Sequence, residues 1–237
     1  MAVDPIHDEI VAPNPFAQAL LFFPGDAQGD QKPIRIIQGP KTLMGGAMDT
    51  DNVAIDPVAN EVYTTQRSSD SILVFSSRAN GDVAPVRILH GPKTGLRYPR
   101  RVTVDPVNKL LAVTSAQGIL IFNSTDDGDV TPRCIISGPK TGIAPRLDRA
   151  SNSKALLYPD TKMIVFSGGR EKVDRGLEGQ RIPPFTAVWN YGDCGDVPPL
   201  YKLVGAGGGA FDLVPESKEL VIAHDNRLEF YSMPEIF

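Results

Sequence analysis

The amino-acid sequence predicts an all-β fold built from repeated units, and three observations support this prediction. A turn that contains a proline recurs about every fifty residues, a typical period for repeat architectures. Its prolines are Pro5, Pro57, Pro106, Pro159 and Pro215. Short runs rich in β-branched and aromatic residues lie between Gly, Pro, Asn and Asp residues, and no run shows the period of a helix. Units of four short antiparallel strands at this spacing are typical of the blades of a β-propeller.

The second unit shows the order of the predicted strands. Its first strand, VAID from Val53, ends at a turn containing proline, and its second strand is EVYTTQ from Glu61. The third strand, SILVFSS from Ser71, leads to a Gly-Asp turn at Gly81. The fourth strand begins beside a proline, in PVRILHG from Pro85. Apolar alternation bounded by turn residues predicts each strand, and the other units repeat this order.

The fifth unit lacks one strand. Its strands lie near Phe211, Leu220 and Leu228, and only SMPEIF follows them. We therefore predict one domain over residues 1–237, a five-bladed β-propeller of four-stranded antiparallel blades with an incomplete last blade, or six blades if a segment is missing. The units are approximately 1–50, 51–99, 100–151, 152–207 and 208–237. An unpaired strand edge promotes association, so we expect a loop or a homodimer contact to cover it.

The repeated sequence resembles the NHL-type propeller repeats of bacterial proteins. The resemblance rests on VAIDPVANEVYTTQ, SILVFSS and GDVAPVRILHGPKTGL in the second unit, and on VTVDPVNKLLAVTS and GILIFNS in the third. It covers these two units closely, the first unit well, and the last two in outline. It implies the propeller fold, and propellers of this kind include binding scaffolds, lyases and lactone hydrolases.

The tetrapeptide GPKT occurs at Gly39, Gly91 and Gly138 and contains residue types found in phosphate-binding loops. A P-loop needs glycine directly before the lysine, so that consecutive backbone N–H groups surround the phosphates. Here a proline separates them and removes one donor. We interpret GPKT as a connector between blades, in which proline directs the chain and threonine satisfies loop backbone groups.

The charge pattern favours an anionic ligand. The formal net charge of −4 argues against a nucleic-acid partner, and no apolar run has the length of a membrane span. In a propeller, the connections between strands four and one share a face with those between strands two and three. Bases outnumber acids there, whereas acids dominate the other connections, including the DP and GD turns. The predicted ligand-binding residues are Arg97, Arg100, Arg101, Arg146, Arg149, Lys154, Arg170 and Arg175.

These arginines and the single lysine suit carboxylate or phosphate groups. The sequence therefore predicts a non-enzymatic scaffold that binds an anionic small molecule or an acidic protein on its basic loop face. Arg170 and Arg175 lie in GGREKVDRGLEGQRIPP, an insertion from Gly168 to Pro184 that is interpreted as a lid, a partner loop or a surface loop without function.

The alternative function is a metal-assisted hydrolase or lyase, similar to a lactonase, with an ion in the central channel. Asp51, Asn52 and Asp212 are weak candidates for a Ca²⁺ site there. The three histidines occupy dissimilar positions, and no nucleophile motif occurs, so we assign no catalytic residue and no cofactor.

The two cysteines and the N-terminal residues bear on the cellular compartment of the protein. Cys134 and Cys194 have no metal-site spacing, and two thiols are favoured over a disulfide. MAVDPIHDEI begins directly with strand-like sequence and has no signal-peptide pattern. The expectation is a cytoplasmic protein, or a secreted or periplasmic one whose leader has been removed.

Overall fold

The computed structural model describes residues 1–46, 52–143, 153–168, 183–208, 210–224 and 226–237. Blade 1 contains β1 (Ala2–Asp4), β2 (Glu9–Asn14), β3 (Ala19–Pro24) and β4 (Arg35–Gln38). Blade 2 contains β5 (Val53–Asp56), β6 (Glu61–Gln66), β7 (Ser71–Ser76) and β8 (Arg87–Leu89). Blade 3 contains β9 (Arg101–Asp105), β10 (Leu110–Ser115), β11 (Gly118–Asn123) and β12 (Cys134–Ile136). Blade 4 contains β13 (Lys154–Tyr158), β14 (Met163–Gly168), β15 (Phe185–Asn190) and β16 (Tyr201–Val204). Blade 5 contains β17 (Ala210–Val214), β18 (Glu219–His224) and β19 (Arg227–Ser232).

These strands form a five-bladed β-propeller, which confirms the predicted fold. In every blade the strands pair antiparallel in chain order. Four sheets have four strands, and the sheet of blade 5 has three in the described part of the chain. The inner strands β1, β5, β9, β13 and β17 contact each other in succession. None of the described helices is long and apolar enough to cross a membrane.

The aspartate of the DP turn ends the inner strand in the first three blades. In blade 2, Asp56 Oδ1 accepts the backbone N–H groups of Val58 and Ala59 at 2.9 and 2.8 Å. Asp4 and Asp105 form the equivalent pairs of bonds in blades 1 and 3. The carboxylate therefore satisfies the turn backbone, which explains its recurrence.

The hydrophobic core lies between the blades. Four clusters of buried side chains join blade 1 to blade 2, blade 2 to 3, blade 3 to 4 and blade 4 to 5. Trp189 is fully buried between blades 3 and 4, and its Nε1 donates to the carbonyl of Val197 at 3.2 Å. Within the described residues, no cluster joins blade 5 to blade 1.

The three GPKT segments lie in the connections from blade 1 to 2, from blade 2 to 3 and from blade 3 to 4, as connectors between blades, as predicted. The hydroxyl of Thr94 donates to the carbonyl of Gly91 at 2.6 Å and accepts the N–H of Leu96 at 3.1 Å. The N–H of Lys93 donates to Asp129 Oδ1 at 2.7 Å, and the other two segments repeat this bond. Gly91 has a positive φ, and a Cβ there would overlap the Asp129 carboxylate.

This contact corrects the prediction of which face of the propeller the GD turns occupy. The aspartates of the GD turns follow third strands and were assigned to the face opposite GPKT, yet Asp82, Asp129 and Asp196 bind the GPKT backbone. The connection from strand three to strand four is long enough to run along the outer strand of the preceding blade toward the GPKT face. Gly81 accordingly pairs with Ile37 of β4 in a parallel bridge.

A largely buried ion pair, which we call the arginine clamp, ties the outer strand to the second strand in blades 1 and 2. Arg87 donates to both carboxylate oxygens of Glu61, at 2.6 and 2.7 Å, and to the carbonyl of Ser124 in blade 3 at 3.0 Å. Arg35 and Glu9 form the same pair in blade 1. The clamp therefore joins neighbouring blades as well as neighbouring strands.

Blade 3 has a disulfide where the clamp is found in the first two blades. Cys134 is at the position of Arg87, and Leu110 is at the position of Glu61. Cys134 is bonded to Cys194 of blade 4, and their Cα atoms are 5.4 Å apart. The expectation of two thiols was therefore wrong. A covalent bond joins blades 3 and 4 where the clamp joins the earlier ones.

Candidate functional site

The inner strands of all five blades surround a central cavity of about 480 Å³. Residues of β1, β5, β9, β13 and β17 line this cavity. Most of the lining side chains are small or aliphatic. The polar and charged ones are Asn52, Arg101, Thr103, Lys154 and Asp212.

Three of these residues share one register position. Asn52, Arg101 and Lys154 each lie four residues before the last residue of an inner strand, which is Asp56, Asp105 or Tyr158. The equivalent residue in blade 5 is alanine. Consecutive blades therefore present an amide, a guanidinium and an ammonium group to the same level of the cavity.

In the part of the chain that the structure describes, the two cations in this set have no ion-pair partner. No salt bridge involves Arg101 or Lys154 among the residues that the structure describes. Burial lowers the pKa of Lys154; the nearby Asp212 carboxylate raises it, and the charge of Arg101 lowers it. Lys154 Nζ also lies 5.7 Å from the centroid of the Phe211 ring, within the range of a cation–π contact. The cavity thus holds positive charge that is only partly compensated.

The candidates for a metal site have other hydrogen bonds. Asn52 Oδ1 accepts the N–H of Val102 at 2.6 Å, so this amide oxygen joins blade 2 to blade 3. Asp212 Oδ1 accepts the N–H of Leu213 at 3.0 Å. Asp51 lies outside the described residues. No group of three or more His, Cys, Asp or Glu residues is placed to hold a metal ion within the described ranges.

The remaining predicted ligand-binding residues do not line the central cavity or are not described. Arg97 and Arg100 lie in the connector to blade 3, where the carbonyl of Arg97 accepts the N–H of Ala116 at 2.8 Å. The side chain of Asp70 accepts the N–H of Tyr98 at 2.8 Å and so fixes this connector to blade 2. Four further arginines lie outside the described residues, and they are Arg146, Arg149, Arg170 and Arg175.

The sequence interpretation named Arg101 and Lys154 but placed them in loops. The structure places them as the first residues of β9 and β13. Aligning the units residue by residue, with the turn as reference, brings positions 52, 101 and 154 into register. That signal was present in the sequence. The role of Phe211 beside Lys154 had no such signal, because the contact joins two different blades.

Comparison with known proteins supports the fold. Neither a family model nor a curated protein sequence matches the chain. Among solved structures, the chain is similar to hydrazine synthase of Kuenenia stuttgartiensis, with a TM-score of 0.61 and 12% identity over 93% of this chain. A chain of the mitotic checkpoint complex gives a TM-score of 0.61 and 12% identity over 95%. A 6-phosphogluconolactonase-like protein from Bacteroides uniformis gives 0.62 and 18% over 97%.

The chain spans less than two thirds of each of these structures, namely 53%, 58% and 65% of their lengths. At these identities the similarity shows a common propeller architecture.

Proposed function

We propose that this protein is a non-enzymatic binding scaffold that holds a small anion in its central cavity. The observation that carries the proposal is the placement of Arg101 and Lys154 on adjacent inner strands, around one cavity, with no ion-pair partner in the described chain. A partly buried cation without a partner costs free energy, and an anionic ligand would offset that cost.

The residue types favour a carboxylate or a phosphate group. The guanidinium of Arg101 can donate two parallel hydrogen bonds to such a group, and the ammonium of Lys154 adds a point charge. The cavity volume of about 480 Å³ is in the range of small-molecule sites, which favours a small molecule over a protein surface. Asp212, which is close enough to influence the pKa of Lys154, adds an acceptor suited to a ligand hydroxyl group.

The proposal includes the NHL-type assignment of the repeats, which rests on the sequence pattern of the second and third units. An acidic protein partner would engage the outer loops instead, where Lys93 and Arg97 are exposed. A lactonase-like, metal-assisted hydrolase would need an ion in the same cavity. The two functions therefore make opposite predictions for metal content.

Neutralising either cation is expected to weaken anion binding at least tenfold. The wild-type protein and the variants Arg101→Gln and Lys154→Gln are titrated with inorganic phosphate, citrate and glucose 6-phosphate in a calorimeter. A hydrogen bond to a charged group contributes about 1.5–3 kcal/mol, which corresponds to a loss of about tenfold or more. Lys154→Gln also removes a partly buried charge, so its melting temperature should not fall.

Lys93→Gln is the matched control, because Lys93 is exposed and outside the cavity. It should bind each anion as the wild type does. The proposal is wrong if no anion binds, or if the cavity variants and the control lose affinity equally. A stoichiometric metal ion in the purified protein, required for binding, would favour the hydrolase instead.

A further inference from the structure

The outer strand of blade 1 places its arginine in a receptor made of a carboxylate and an aromatic ring. Arg35 donates to both carboxylate oxygens of Glu9, at 2.9 and 2.6 Å. Its guanidinium carbon also lies 4.8 Å from the centroid of the Phe22 ring. Phe22 pairs with Arg35 across β3 and β4. The receptor therefore combines an ion pair with a cation–π contact.

Blade 5 repeats both parts of this receptor. Glu219 is the first residue of β18, as Glu9 is of β2 and Glu61 is of β6. Phe230 is the fourth residue of β19, as Phe22 is of β3. Glu219 pairs with Ser232, and Glu9 pairs with Pro24, so the two sheets have the same register.

The receptor in blade 5 has no arginine in the described structure. The hydroxyl of Ser217 donates to Glu219 at 2.6 Å, and no salt bridge reaches this carboxylate within the described chain. Phe230 is 58% exposed, whereas Phe22 is fully buried. Leu228 is 60% exposed, although its equivalent Leu20 is fully buried. In blade 1, Leu20 and Phe22 are buried because they pack against blade 2. Among the described residues no hydrophobic cluster packs a further blade against the same face of blade 5, so Leu228 and Phe230 are uncovered there.

The edge of β19 is also open to pairing. No strand other than β18 pairs with β19 among the described residues. The residues that follow β19 turn toward blade 4, where Ile236 is buried and its carbonyl accepts the hydroxyl of Thr161 at 2.6 Å. They are therefore not available to pair with β19 in the observed structure.

We propose that β19 binds an extended segment of another polypeptide in antiparallel pairing, with an arginine of that segment between Glu219 and Phe230. The chain's own outer strands define the chemistry of this partner. In blades 1 and 2 they read PIRII and PVRIL, with proline, one aliphatic residue, arginine and then two aliphatic residues. A peptide of this pattern would pair its backbone with β19 and place its arginine opposite Phe230.

A second copy of the chain is a poor source of such a strand. Its Arg35 and Arg87 are held in their own blades by two hydrogen bonds each to glutamate. Removing either strand would break both of these hydrogen bonds and take the closest cation from a largely buried carboxylate. The proposed site lies on a blade edge and does not involve Arg101 or Lys154, so it stands apart from the function proposed for the central cavity.

The test uses the synthetic peptide APVRILHG, which has the sequence of residues 84–91. Its affinity for the intact protein is measured by fluorescence anisotropy with a labelled peptide. We expect saturable binding that weakens at least tenfold when the peptide arginine is replaced by alanine. Glu219→Gln and Phe230→Ala in the protein should each weaken binding of the original peptide several-fold.

Glu216→Gln is the matched control, since Glu216 is exposed in the preceding turn and has no counterpart in the arginine receptor. It should bind the peptide as the wild type does. The reversed pair should restore binding: Glu219→Arg is expected to reject APVRILHG and to bind APVEILHG.

Equal affinity for the arginine and alanine peptides would overturn the proposal, as would unchanged binding to Glu219→Gln. Sedimentation equilibrium tests the other possible occupant of this edge, a second copy of the chain. A wild-type dimer that Phe230→Ala dissociates, and that the peptide does not displace, would place a second copy on this edge and would also refute the proposal.

Discussion

Replacing Cys134 and Cys194 by alanine together is expected to lower the free energy of unfolding by about 4 kcal/mol. The bond closes a loop between residues separated by 60 positions, and the loss of unfolded-state entropy for a loop of this size is about 4 kcal/mol. Blade 3 has leucine and cysteine at the positions of the clamp, so no arginine there compensates for the loss. Chemical denaturation measures the change directly, and the melting temperature should fall by roughly 8–16 °C.

Reduction provides the control for this prediction. Cys194 is exposed, so a small dithiol such as dithiothreitol can reach the bond. The reduced wild type should have nearly the stability of the double variant, because both have lost the same cross-link. The double variant itself should not respond to dithiothreitol. A wild type that keeps its full stability after complete reduction would contradict the prediction.

The two cysteines of the disulfide occupy positions that recur in the other blades, although the strand pattern alone did not pair them. Cys134 takes the place of the clamp arginine, and Cys194 takes the place of Asn80 in blade 2. Asn80 is close to the outer strand of blade 1, because its Oδ1 accepts the N–H of Ile36 at 2.9 Å. The two cysteine positions are therefore close to each other where blade 1 meets blade 2, as they are where blade 3 meets blade 4. Spacing along the chain could not reveal this, since the adjacency arises only when blades pack.

The fold was predictable because each strand carries its own local signal. Apolar alternation and turn residues specified the strands of blade 2 from Val53 to Leu89, including the outer strand beside Pro85. The position of the GD turns was not predictable in the same way. Asp82 accepts the N–H of Lys41, in the connector that follows blade 1. This contact depends on how far the connection between strands three and four extends along the preceding blade. Rules that sort loops by face assume short connections, and this one is longer.

Residues of the candidate site were identified from the sequence, but their convergence on one cavity was not predicted. Arginine and lysine at positions 101 and 154 were recognised because they are absent from the repeat pattern. Their convergence depends on the register of β9 and β13 around one cavity. Arg97 carries the same charge only four residues earlier, yet it lies in the connector and outside the cavity lining. Charge alone does not distinguish Arg97 from Arg101; the distinction requires the alignment of the units on their turns, which places position 101 in register with positions 52 and 154.

Removing the clamp arginine by Arg87→Met is expected to lower the free energy of unfolding by about 3 kcal/mol at neutral pH. The side chains of Arg87 and Glu61 are only 19% and 17% exposed, so the variant leaves a largely buried carboxylate without its cation. The carbonyl of Ser124 also loses its donor from the neighbouring blade. Arg227→Met is the matched control, because Arg227 is 67% exposed in its pair with Glu229, and it should change stability by less than about 1 kcal/mol.

Acid should reduce the effect of Arg87→Met, and this dependence separates the ion pair from lost packing. The hydrogen bonds from Arg87 are the main cause of a lowered pKa at Glu61, below its ordinary value of 4.5, although burial opposes them. A lowered pKa contributes stability that is present above the ordinary value and is lost as the pH falls through the folded-state pKa. The difference between wild type and Arg87→Met should therefore be full at pH 7 and shrink below about pH 4.5. Urea denaturation at a series of pH values measures it, and a difference that stays constant into acid would mean that Arg87 acts through packing alone.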